Sequence, residues 1–87
     1  MVESVVLQAR RRAALNARAA RDQLGWTQEL AAERIGCSVQ ALQGMERAAA
    51  AVTIDFVARV AAACRMDVAG LFVAVGPWRQ PRPGRPV

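Results

Sequence analysis

The sequence predicts an all-α domain, and three observations carry that prediction. The composition is alanine-rich with only 5% aromatic residues, which suits closely packed helices and suits strands poorly. Apolar residues recur at helical spacing along most of the chain. Helix starts and stops are marked by residue type: Thr27, Ser38 and Thr53 are N-cap hydroxyls, and Gly25 and Gly36 are C-cap glycines. With 87 residues the chain holds one domain at most, and its core must be small.

Residues 1–8 carry an apolar cluster, Val2, Val5, Val6 and Leu7, followed at once by Arg10, Arg11 and Arg12. This stretch extends the first helix or forms an arm. From about Ala13 the series Ala13, Ala17, Ala20 and Leu24 predicts the buried stripe of the first helix, with Gly25 as its stop and Trp26 as a large apolar plug behind it. Thr27 caps a second helix that buries Ala31, Ala32 and Ile35. Gln28 stands at its N-terminus, where amide groups and the macrodipole favour a phosphate. Gly36 permits a turn and Ser38 opens a third helix. Leu42 and Met45 of that helix face inward, and Val39, Gln40, Gln43, Gly44 and Arg47 face outward.

Two helices this short do not persist alone in water and need neighbours to cover their apolar sides. Four alanines, Ala48 to Ala51, form a bland linker. Thr53 then caps a fourth helix whose expected stripe is Ile54, Val57, Val60, Ala61 and Cys64. Asp67 caps a short final turn in which Val68, Leu71 and Phe72 complete the core. An alternative for residues 71–75 is a short strand that pairs with its copy in a dimer. The organisation expected is an N-terminal arm or first-helix extension over residues 1–15, a helical domain over 16–72, and a flexible basic tail over 73–87 rich in Pro, Gly and Arg.

The net charge is +5 and all twelve basic residues are arginines, a balance that favours an anionic partner. Residues 1–25 carry five arginines against two acidic residues, residues 26–72 carry four against five, and the last fifteen residues add three arginines. The positive charge therefore flanks a nearly neutral centre. Two cysteines at no zinc spacing predict plain packing thiols and no metal. Without histidine, a plausible carboxylate pair or a phosphate-cradling glycine loop, the sequence points away from an enzyme, and no cofactor is expected. No targeting segment or membrane-length apolar run is evident, so the expected setting is cytoplasmic, without a membrane partner.

A short helix, a tight turn containing glycine and a second short helix is the pattern of the DNA-binding helix-turn-helix. The residues Arg21, Gly25-Trp26-Thr27-Gln28, Ala31 to Gly36, Ser38, Leu42, Met45-Glu46-Arg47, Thr53-Ile54 and Leu71-Phe72 together resemble the Cro and phage-repressor type of helix-turn-helix domain, the XRE family. The resemblance covers roughly residues 16–72. It implies a compact five-helix, lambda-repressor-like fold and a sequence-specific regulator of transcription, with double-stranded DNA as partner. The expected form is a homodimeric repressor reading a palindrome. By this resemblance Gln28 touches a phosphate, and Ser38, Val39, Gln40, Gln43, Gly44 and Arg47 face bases or phosphates. Arg21 and Glu46 fall where the family has an interior ion pair. The family usually has a glycine and then a polar or basic residue after Glu-Arg, and this chain has alanines there. The missing phosphate contacts are expected from Arg10 to Arg12, from the tail, or from a second subunit. The alternative is an antitoxin or adaptor that engages a partner protein through residues 77–87.

Overall fold

The computed structural model describes residues 1–49 and 51–76. Four α-helices follow one another: α1 (Val2–Leu24), α2 (Gln28–Ile35), α3 (Val39–Glu46) and α4 (Ile54–Ala63), closed by a 3-10 segment, Val68–Phe72. There is no strand among the described residues. The fifth helix expected from the family resemblance is thus this single 3-10 stretch. It takes residues 71 and 72 away from any strand over 71–75. Residues 77–87, with Trp78 and the proposed partner-protein segment, lie outside the described residues.

The helix boundaries follow from side chains that satisfy the orphan amides of each first turn. The Thr27 hydroxyl accepts from the Leu30 amide at 3.1 Å, Ser38 from Ala41 at 3.0 Å and Thr53 from Phe56 at 3.0 Å. Asp67 accepts from Ala69 at 3.2 Å and so opens the 3-10 segment. α1 and α2 stop at Gly25 (φ 71°) and Gly36 (φ 85°), both left-handed, where a side chain would be strained. Beyond α3 and α4 the same left-handed conformation falls on Ala48 and Arg65, each at φ 55°. Both lack the freedom of glycine.

α1 is 23 residues long, about 35 Å at 1.5 Å per residue, which matches the 36 Å longest dimension of the molecule. The stretch before Ala13 therefore continues the helix. Only the later part of α1 lies on the core, through Ala13, Ala14 and Ala17. Ala13 and Ala17 meet Ala31, Ala32 and Ile35 of α2, Leu42 and Met45 of α3, Val57, Val60 and Ala61 of α4, and Leu71. The alanines let helix backbones approach closely, and the few larger side chains fill what remains. Asn16 ties the closing segment to α1 by donating to the carbonyls of Leu71 (2.9 Å) and Val73 (3.0 Å).

Three expected core positions are exposed. Ile54, 74% exposed, has the right helical phase but is the first residue of α4. Its side chain leans back past the helix start, where no described element covers it. Val68 opens the 3-10 segment in the same way, and Leu24 sits at the last turn of α1 beside an open groove with Trp26, Arg34 and Ala63. Phe56 and Met66, half-buried against the core, complete the apolar packing instead. Cys37 and Cys64 are free, half-buried thiols packed against the core. Burial holds both above the usual thiol pKa, with the Arg59 charge partly opposing this at Cys37.

Candidate nucleic-acid interface

α2 and α3 are joined by Gly36, Cys37 and Ser38. The left-handed Gly36 makes the turn tight, and its amide closes on the Ala32 carbonyl at 2.8 Å. From the far side Arg59 of α4 donates to the Gly36 carbonyl at 3.4 Å. Leu42 and Met45 anchor the inner side of α3 in the core. On its outer side Ser38, Gln40 and Arg47 are exposed, and Val39, Gln43 and Gly44 are half-buried. Gly44 leaves a shallow surface there, since a Cβ built on it would meet nothing within 4 Å.

Behind this surface runs a chain of polar contacts. Glu46 is 2% exposed and receives two hydrogen bonds from Arg21, Nε to Oε2 at 2.7 Å and Nη2 to Oε1 at 3.0 Å. The remaining terminal nitrogen of Arg21, Nη1, donates to the Trp26 carbonyl at 3.1 Å. Burial alone would lower the Arg21 pKa; the hydrogen bond and charge of Glu46 outweigh it and hold the guanidinium above its ordinary value. The pair fixes the end of α1 to the end of α3. Arg34 also lies over the Trp26 ring, 5.7 Å from its centroid.

The chain extends further than an ion pair. Gln28 Nε2 donates to Glu46 Oε1 at 3.1 Å, and Gln43 Nε2 donates to Gln28 Oε1 at 3.2 Å. An ionised carboxylate only accepts, so it dictates which way the Gln28 amide points. Gln28 in turn presents its oxygen and so dictates the orientation of Gln43. The Gln28 side chain is thus turned along α3, between Glu46 and Gln43. Gln43 keeps its own oxygen and one N–H outside this chain of contacts. This relay was not foreseen in the sequence. A signal for it existed, since the first residue of α2 and two residues one turn apart on α3 are all polar and long.

Among the described residues no helix is long and apolar enough to cross a membrane, and no group of side chains is placed to hold a metal ion. Neither curated proteins nor solved structures give a significant match to the chain. Residues 18–71 match the helix-turn-helix family, a span that covers the capped α2–turn–α3 unit and the Arg21–Glu46 pair behind it. The chain accordingly belongs to the helix-turn-helix family of the Cro and phage-repressor type, a family of DNA-binding transcription regulators.

Proposed function

We propose that this protein is a homodimeric repressor that reads a palindromic operator through α3, with half-sites about one helical turn apart. The observation that carries the reading is the orientation of Gln43. Its free oxygen and remaining N–H form the donor–acceptor pair that an adenine edge requires: the oxygen accepts from N6–H and the N–H donates to N7. Gln40, exposed one turn earlier, offers a second amide to the groove. Val39 suits a thymine methyl, while Ser38 and Arg47, exposed at the two ends of the helix, are the residues this reading assigns to phosphates. Gly44 lets the backbone of α3 come close to the duplex. The reading is of a binding protein without catalytic chemistry or cofactor, acting in the cytoplasm.

Selection of bound sites from random duplex DNA tests it. The unmodified chain is expected to enrich a two-fold symmetric site, and Gln43→Ala to relax the preference at one base pair per half-site by about 1–3 kcal/mol. Log affinity should fall steeply with log salt, because phosphate neutralisation releases counterions. A flat salt dependence on the best selected site would overturn the assignment.

A further inference from the structure

The first two turns of α1 carry exposed apolar residues: Val2 by 75%, Val5 by 64% and Val6 by 43%. Val2, Val6 and Ala9 continue the line of Ala13 and Ala17 along the helix. The stripe that forms part of the core therefore continues past it, exposed among the described residues. It is remote from the recognition surface. Arg21, which grips Glu46 of α3, lies fifteen residues from Val6, about 22 Å along the axis.

Charge says what fits there. Glu3 and Arg10 are seven residues apart, two full turns, so they lie on one side of the helix and bracket Val6. Arg11 and Arg12 lie well round from Val6 and line a different groove with Leu15, Val75 and Gly76. A second copy laid antiparallel across Val6 brings Glu3 of each chain beside Arg10 of the other. A parallel arrangement leaves Glu3 and Arg10 of the two chains at different levels, with no opposite charges paired. The stripe offers no unbalanced charge that an anionic surface would select.

We infer that the first two turns of α1 are a self-association surface whose occupant is the same stretch of a second copy, docked antiparallel through Val2, Val6 and Ala9 and closed by two Glu3–Arg10 pairs. Such a pairing leaves both α3 helices uncovered and does not depend on operator binding. The contact is short, so association is weak and depends on protein concentration.

Sedimentation of the full chain in the absence of DNA tests the inference. The expected result is a reversible monomer–dimer equilibrium that Val6→Glu weakens about tenfold or more, by placing an uncompensated carboxylate in the contact. Glu3→Arg and Arg10→Glu should each weaken it, and the double variant Glu3→Arg/Arg10→Glu should restore it. Circular dichroism checks that the variants keep their helices. If Glu3 serves only the dipole of its own helix, the double variant stays as weak as the singles, and the inference fails. It also fails if the chain is monomeric at all concentrations, whether anionic vesicles or residues 77–87 then prove to cover the stripe, or if Val6→Glu leaves the equilibrium unchanged. Failure of operator selection would leave these results standing, so the two proposals fail separately.

Discussion

The two ends of α1 have the same backbone and opposite surroundings. At the recognition end Arg21 is held by Glu46 and the Trp26 carbonyl, and the carboxylate passes its orientation through Gln28 to Gln43. At the far end Val2, Val5 and Val6 meet solvent. One end has polar groups tied together inside the protein; the other has apolar groups left outside it. A buried charge needs a close counter-charge and further hydrogen bonds, and Glu46 has both in Arg21 and Gln28, so the recognition end holds its side chains in a defined orientation. The far end carries no such constraint, and its cost of exposure is relieved only by something that covers it.

The sharpest way to break this contrast is to empty the recognition end. Glu46→Ala takes both carboxylate hydrogen bonds from the Arg21 guanidinium at a site where Glu46 is almost wholly buried, and leaves it the exposed Asp22, 3.9 Å away, as its ion-pair partner. The expected loss is about 3–5 kcal/mol of stability, a large part of what a domain of this size has. Urea denaturation measures it, and a loss under about 1 kcal/mol would mean the pair is not the lock described here. Asn16→Ala acts midway along α1. It removes the two hydrogen bonds to Leu71 and Val73 and leaves one carbonyl partly buried without a donor, for an expected cost of about 1–3 kcal/mol. Hydrogen exchange should then rise first in the closing 3-10 segment.

The recognition end was more legible in the sequence than the far end. Each hydroxyl cap at Thr27, Ser38 and Thr53 and both glycine stops act within a single turn, so residue type alone indicates them. The Arg21–Glu46 pair was readable only through the family resemblance, because nothing in the spacing of two residues 25 apart says that they meet. The onward relay to Gln28 and Gln43 was not readable, since it depends on the angle between α2 and α3. Ile54, Leu24 and Val68 show the converse limit. Helical phase gives the side of a helix a residue occupies, but not whether a neighbour reaches that far along it. The same limit left residues 1–15 open between an arm and a helix: the local pattern allows either, and the continuous α1 runs straight through that boundary.

A smaller effect of opposite sign is expected where the chain leaves α3. Ala48 is held at φ 55°, a conformation that costs a residue with a Cβ about 1–2 kcal/mol. Ala48→Gly removes that strain but adds about 0.4–1 kcal/mol of unfolded-chain entropy, so the net gain should be near 0.5–1 kcal/mol. Thermal unfolding reads it as a rise in Tm. A fall would mean that the methyl group of Ala48, half-buried, contributes packing that outweighs the strain.

The smallest expected change probes the far end, and its smallness is the point. Val6→Ser alters a side chain that the single chain leaves 43% exposed, whereas Val60→Ser alters one that is 1% exposed in the core. Both substitutions are β-position changes in a helix, with nearly equal helix propensity before and after, so propensity cancels from the comparison. At Val60 the hydroxyl is buried without a planned partner and a methyl-sized void opens, for an expected loss of about 2–4 kcal/mol. At Val6, in protein dilute enough to be monomeric, the loss should stay within about 0.5 kcal/mol. Raising the protein concentration should then stabilise the unmodified chain more than the Val6→Ser variant, because a contact between copies adds stability by mass action. If dilute Val6→Ser instead loses more than about 1 kcal/mol, the side chain is already covered within one chain, and the two ends of α1 differ less than their exposures indicate.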